Sequence, residues 1–163
     1  MDALQPKFKK EIIRGSQTAT NIASQLKRAI YESEESAKFI SSKFKGNTAL
    51  LTCFNVYDYC RKNLKYKKES ANLQTAKTLP MILNTKNLGN DCKHYTTFCC
   101  SVLRALGIRT QMRLISQNFY DSDPNHIYCV ALINGNEIIV DPCIKVFNSE
   151  APYKYKYNLN LKK

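Results

Sequence analysis

Gly89-Asn90-Asp91-Cys92-Lys93-His94-Tyr95-Thr96-Thr97-Phe98-Cys99-Cys100-Ser101-Val102-Leu103-Arg104-Ala105-Leu106-Gly107-Ile108 is the stretch on which the fold turns. From Cys92 onward, Tyr95, Cys99, Val102, Leu103 and Leu106 recur at helical spacing, and Gly107 stands where a C-terminal stop belongs. Asp91 is of the type that caps helices, and the polar, glycine-bearing loop 84–90 runs directly into it. The pattern therefore puts Cys92 in the first turn of a helix. There, unpaired backbone N–H groups and the positive end of the helix dipole favour thiolate over thiol.

Beyond Gly107 the period changes from helical to alternating. Ile108, Thr110, Met112 and Leu114 fall on one side of a strand, and Arg109, Gln111 and Arg113 on the other. A loop over 116–125, with Asp121, Asp123 and Pro124, leads to a second strand, His126–Ile133. Asn134-Gly135 then marks a two-residue hairpin turn, and Asn136–Val140 is the returning strand. With those two residues as the turn, Ile133 faces Asn136 and Tyr128 faces Asp141. His126 and Asp141 are then diagonal neighbours on one face, roughly 7 Å apart at the backbone. A three-residue turn would put them on opposite faces.

A thiol, an imidazole and a carboxylate in that order are the parts of a nucleophilic cysteine site: nucleophile, general base and orienting acid. Each also has a bland reading. Cys92 can be a buried thiol near a cap, Asp91 only the cap, and Asp141 before Pro142 only a strand end. The three coincidences together favour the triad. His94 competes as base, but two helical residues from Cys92 is a rotation of about 200°, which reads as a surface histidine. Cys99 lies about 10 Å below Cys92, too far for a disulfide, and Cys99 and Cys100 read as packing residues.

Upstream the chain reads as helical. Ile22, Leu26 and Ile30 form one stripe, Ser33-Glu34-Glu35 looks like a fresh N-cap, and Ala37, Ile40 and Phe44 continue it. Thr48 caps a third helix whose inner face is Leu50, Cys53, Phe54, Tyr57, Cys60 and Leu64. Residues 65–78 read as an irregular connection, followed by a short helical turn at Pro80-Met81-Ile82-Leu83.

The 163 residues carry a formal charge of +12, with 15 Lys and Arg against 7 acids over residues 1–79 and 10 against 6 over 80–163. The runs Arg61-Lys62-Asn63-Leu64-Lys65-Tyr66-Lys67-Lys68 and Tyr153-Lys154-Tyr155-Lys156-Tyr157 interleave cations with aromatics, a composition that can hold an anionic partner. No nucleic-acid motif accompanies them, so a solvated face and a final strand are the favoured reading. Seven cysteines without a C-x-x-C pair speak against a disulfide or structural zinc framework. The start Met1-Asp2-Ala3-Leu4-Gln5-Pro6-Lys7 lacks the apolar run of a secretory signal, and no stretch has the length of a membrane span. A cytoplasmic or virion-associated location is expected.

The residues from about Ala49 to Cys143 resemble the transglutaminase-like superfamily of papain-like cysteine enzymes. The resemblance rests on Tyr59-Cys60-Arg61-Lys62-Asn63-Leu64-Lys65-Tyr66, Thr78-Leu79-Pro80, Gly89-Asn90-Asp91-Cys92-Lys93, Leu103-Arg104-Ala105-Leu106-Gly107-Ile108, His126 and Asp141-Pro142. It implies an α+β fold, with the nucleophile helix packed on a small antiparallel sheet that supplies His and Asp. The expected organisation is one domain over 1–163: N-terminal accessory helices over 1–48, the core over 49–143 and a C-terminal extension over 144–163. Cys92 is the implied nucleophile, His126 the base and Asp141 the orienting carboxylate. The activity implied is that of a peptidase, amidase or acyltransferase on a peptide, protein or peptidoglycan-like substrate, with no metal or organic cofactor. The Cys92 N–H is one oxyanion donor, with Asn90 and Asn87 as candidates for the second. Two features depart from the family pattern. Asn90 is an extra residue between the glycine and Asp-Cys, and the chain lacks tryptophan, so Tyr128 takes a place where Trp is common and becomes a pocket candidate. A non-catalytic interaction module that keeps the fold is the alternative.

Overall fold

Helix α5 (Cys92–Ala105) is the axis of the protein, buried on nearly every side. The computed structural model describes residues 7–13, 19–118 and 123–162. The start Met1–Pro6 and Asp121 of the loop before His126 lie outside the described residues. Around α5 stand α1 (Ala19–Glu32), α2 (Glu34–Ser41), α3 (Ala49–Asn63) and the short α4 (Leu79–Asn84). On its remaining side lies an antiparallel sheet of β3 (Arg109–Ser116), β4 (His126–Ile133), β5 (Asn136–Val140) and β6 (Tyr155–Asn160), in the order β5-β4-β3-β6. The expected α+β architecture of a nucleophile helix on a small antiparallel sheet is what is found. A helix surrounded in this way must be apolar all round, and Phe98, Cys99, Cys100, Val102 and Leu103 have no exposed surface.

Packing explains the odd cysteine count. All seven are free thiols, and Cys53, Cys60, Cys99, Cys100 and Cys129 are buried in the core. Cys60 Sγ lies 3.9 Å from Cys99 Sγ, and burial pushes the Cys53 thiol up to about 12. They behave as small hydrophobes, filling the space beside the ring contacts of Phe44, Tyr59 and Phe98.

Helix ends follow local chemistry. Thr48 Oγ1 accepts from Leu51 N at the start of α3, and at the end of α5 Gly107 N and Ile108 N return to the Arg104 and Leu103 carbonyls in a Schellman closure. Three expectations need correction. Leu50 and Phe54 point outward, 49% and 40% exposed, because the buried face of α3 is Thr52, Cys53, Val56, Tyr57 and Cys60. Ser33 does not cap α2 with its side chain. Its hydroxyl donates to Ala29 O and accepts from Leu79 N, tying α1 to α4. The connection 65–78 contains a strand, β2 (Thr75–Lys77), paired antiparallel with β1 (Lys10–Ile12), a partner more than sixty residues away that no local pattern announces.

The hairpin has the expected register. Asn134 and Gly135 both have positive φ, 49° and 79°, as a type I′ turn requires, and Ile133 faces Asn136. The outer face of the sheet is largely covered. Arg113, 1% exposed, bonds to Glu137, Glu150 and Asn158, and Tyr128 donates its hydroxyl to Glu150. The segment after β5 crosses back over this face, where Asn148 accepts from Ile139 N and Ala151 packs with Tyr128 and Val130. Among the described residues no helix is long and apolar enough to cross a membrane.

Candidate active site

The loop that delivers Cys92 is held from both sides. Asn90 N donates to Lys65 O at 2.9 Å and Lys67 N to Asn90 O at 3.0 Å, while Lys77 Nζ donates to Gly89 O at 2.9 Å. Gly89 has φ +137°, and a Cβ there would lie 2.8 Å from Lys67 Cβ, so only glycine fits without strain. Asp91 then caps α5, its carboxylate accepting from Lys93 N.

His94 completes the cap and corrects the expectation of a surface residue. It is fully buried: Nδ1 accepts from Asp91 N at 3.1 Å and Nε2 donates to Thr75 O at 3.1 Å. It thus takes the N3 role that Glu or Gln plays in a capping box. Burial, with the Lys77 and Lys93 ammoniums nearby, pushes its pKa down to about 3. The ring is therefore neutral, and the 3.3 Å approach of Asp91 Oδ1 to Nδ1 is not an ion pair. Lys93, also buried, sets its ammonium against the Asp91 carboxylate and 3.4 Å from Glu69 Oε2.

A folded value of about 3 against 6.5 for the free side chain means that the unfolded chain takes up the proton first. Stability owed to neutral His94 is complete above pH 6.5 and is lost as pH falls toward 3. Urea midpoints measured across this window are expected to fall steadily for the parent protein and less steeply for His94→Gln, which keeps a cap acceptor and does not titrate. The protection at stake is on the order of a few kcal/mol.

His126, at the start of β4, places Nε2 2.6 Å from Asp141 Oδ2, and the other Asp141 oxygen accepts from Cys143 N at 3.0 Å. Cys92 lines the same cleft and lies near enough to this imidazole to affect its titration. Burial alone would lower the pKa of this imidazole, but the bond to Asp141 and the nearby Cys92 outweigh it and raise it to about 10. The structure thus brings the three predicted residues together from three places: the start of α5, the start of β4 and the residue after β5. Cys92 and His126 open onto a cleft of about 580 Å³ whose wall includes Tyr66, Gln74, Leu114, Pro124 and Ile144, with Asp141 buried behind the imidazole.

The other predicted residues stand elsewhere. Asn90 is buried, and its amide donates to Thr85 O and accepts from Lys77 Nζ, which commits its donor away from the cleft. Asn87 is exposed and lines a neighbouring cavity with Arg61, Lys65 and Tyr95. Tyr128 is 1% exposed on the outer sheet face; its ring lies 5.5 Å from that of His126, and it does not line the cleft. The missed residue is Tyr66. It bridges to Asn90 beside the Cys92 loop and lines both cavities. Burial and the nearby Cys143, Cys92, Asp91 and Asp141 push its phenol up, so it keeps its proton. In the sequence it reads as one aromatic in a basic run.

The model of the Transglutaminase-like superfamily matches residues 40–142, and the chain belongs to this family. No curated protein sequence matches the chain. Among solved structures it is similar to a protein of Parabacteroides distasonis described as a "putative protease", with TM-score 0.55 and 15% identity over 76% of this chain and 26% of that one. A "putative cysteine protease" of Cytophaga hutchinsonii gives TM-score 0.47 and 15% identity over 80% and 40%. The chain thus spans about a quarter and two-fifths of their lengths, and the first of the two shows the shared fold.

Proposed function

We propose that the protein is a cysteine-dependent enzyme that cleaves or transfers an amide-bound acyl group, with Cys92 as nucleophile, His126 as base and then acid, and Asp141 as the carboxylate that orients the ring. The observation that carries the reading is His126 held at Nε2 by Asp141 on the wall of a cleft that Cys92 also lines. In this reading Cys92 attacks as the thiolate and His126 carries its proton. Cys92 Sγ attacks the substrate carbonyl, and the imidazolium gives its proton to the departing amine, leaving a thioester. A second acceptor then attacks the thioester, His126 takes its proton, and the thiolate leaves. With water as acceptor the enzyme is a peptidase or amidase, the reading we favour over crosslinking, and the substrate class is a peptide or a peptide-like wall component.

Charge develops on the carbonyl oxygen during attack, and two donors stand near it in this reading. One is the Cys92 N–H at the head of α5. The other, in this reading, is the Tyr66 phenol, protonated at working pH and on the wall of the same cleft, in the role that Asn90 and Asn87 leave unfilled. Tyr66→Phe keeps the ring packed near Tyr95 and removes only the hydroxyl. In steady-state assays on a peptide amide it is expected to lower kcat by about 10²- to 10³-fold with little change in KM. An unchanged kcat would remove Tyr66 from the mechanism and leave the triad standing. The whole reading is tested by incubating the protein with a peptide library and following cleavage by mass spectrometry, beside Cys92→Ala. Cleavage that survives in the variant contradicts it.

A further inference from the structure

A second cavity, of about 590 Å³, adjoins the cleft, and Tyr66 and Cys143 line both. The two spaces differ in charge. The cleft carries Glu69 and Asp91 beside Lys68 and Lys93, whereas the charged residues lining the second cavity are all cations, Arg61, Lys62 and Lys65. Lys62 is paired with Asp58 at 2.8 Å, but Arg61 and Lys65 form no ion pair among the described residues. Two unneutralised cations in a cavity beside a nucleophile are the chemistry that recognises an anion. Building on the reading of Cys92 as that nucleophile, we propose that the second cavity is a subsite for a carboxylate of the substrate, so that the enzyme selects amides with an acidic group near the scissile bond.

The two cations are anchored to the segments that carry the site. Arg61 Nη1 donates to Pro142 O at 2.8 Å and to Ile144 O at 3.2 Å, which holds the guanidinium against the residues that follow Asp141. Both bonds use one nitrogen, so the guanidinium keeps Nε and Nη2 as donors for a carboxylate. Lys65 is held from the other side. Its N donates to Lys86 O at 2.7 Å and its O accepts from Asn90 N at 2.9 Å, two residues before Cys92. Between the cavity and the cleft the wall is aromatic: buried Tyr95 donates its hydroxyl to Leu64 O, and its ring lies 5.8 Å from that of Tyr66. Asn87, which lines the cavity and not the cleft, adds a neutral amide donor for the same carboxylate.

A general attraction for anions is a different thing. The formal charge of +12 draws acids toward the whole surface, but salt screens that field beyond about 10 Å and it prefers no position along a peptide. Cations fixed at one place beside the nucleophile do prefer one. The carboxylate can come from an Asp or Glu side chain or from the end of a peptide chain, and the same donors serve both.

The test labels the full-length, reduced protein with N-iodoacetyl tripeptide amides of alanine that carry Glu or Gln at the first, second or third residue. Cys92 Sγ displaces iodide, and the rate of its modification is read by peptide mapping. Glu at one position is expected to label Cys92 at least about tenfold faster than Gln at that position. This ratio is expected to fall by about threefold or more in Arg61→Gln and in Lys65→Gln, and to vanish in the double variant. The Gln probe shows whether a variant has disturbed the site, since a disturbed site slows both probes and leaves the ratio. Lys65→Gln changes an exposed side chain and keeps the backbone bonds, so it decides the matter even where Arg61→Gln loosens the segment after Pro142. A companion pair, tri-alanine with a free or an amidated end, distinguishes the source: a gain for the free end in place of the Glu effect identifies a chain terminus as the group bound. The proposal is overturned if neither acidic group gains over its neutral counterpart, if Glu gains equally at all positions, or if the ratio survives in the double variant. Labelling needs no turnover. Position-dependent selectivity without Cys92-dependent cleavage contradicts the proposed enzyme activity and not the subsite; cleavage without the selectivity does the reverse.

Discussion

Turnover of a peptide amide is expected to fall by about 10⁵- to 10⁶-fold in Cys92→Ala, and the double variant with His126→Ala is expected to be no slower than either single one. The reason is the unit the two residues form. His126 and Cys92 line one cleft, and in the proposed mechanism the proton on the one and the charge on the other are two halves of one device. Removing either removes both functions, and what is left is binding and the oxyanion donors. Additive losses, with the double variant far below each single, would mean that the two residues act in separate steps. Single-turnover rates with a fluorogenic peptide amide check this, since slow product release does not mask them.

The second large effect is at Asp141. Asp141→Asn keeps the oxygen that accepts from Cys143 N, so the start of the next segment stays in place. Opposite His126 Nε2, however, an N–H₂ replaces an acceptor. Either two donors meet or the ring changes tautomer and turns its proton toward Cys92, where a base is needed. A loss of kcat of about 10³- to 10⁴-fold is expected, at nearly unchanged KM. The same variant is expected to lower the His126 titration from about 10, because the Asp141 carboxylate that helps to outweigh burial is gone. For the parent, the stability owed to charged His126 is complete below pH 6.5 and is lost as pH rises through about 10. Asp141→Asn is expected to flatten this alkaline limb in urea unfolding, a readout independent of substrate.

Particular residues show which parts of this were legible in the sequence. The start of α5 was, because Gly89, Asp91 and Gly107 act through their own backbone and that of near neighbours. The hairpin was as well: Asn134-Gly135 favours a two-residue type I′ turn, the turn sets the register, and the register puts His126 and Asp141 on one face. What was hidden depends on partners remote in sequence. His94 reads as a surface residue by helical rotation alone, and only the strand at Thr75 shows that its ring is enclosed. That Arg113 is buried depends on Glu137, Glu150 and Asn158, partners at least 24 residues away in the chain. Tyr66 lies in a run that looks merely basic, and its place beside Cys92 comes from the bridge to Asn90. Asn90 looked like an oxyanion donor because it adjoins the cysteine, yet its amide is needed to secure the loop to Thr85 and Lys77. Local chemistry marked where the site begins, and tertiary contacts decided which neighbours serve it.

The central claim is that His126 activates Cys92. The most direct measurement is the rate at which a small neutral alkylating agent modifies Cys92 at pH 6.5, in the parent protein and in His126→Ala, with the site of modification read by peptide mapping. The account predicts that Cys92 reacts first among the seven thiols and about 10²-fold faster in the parent than in the variant. Equal rates in the two proteins would contradict it.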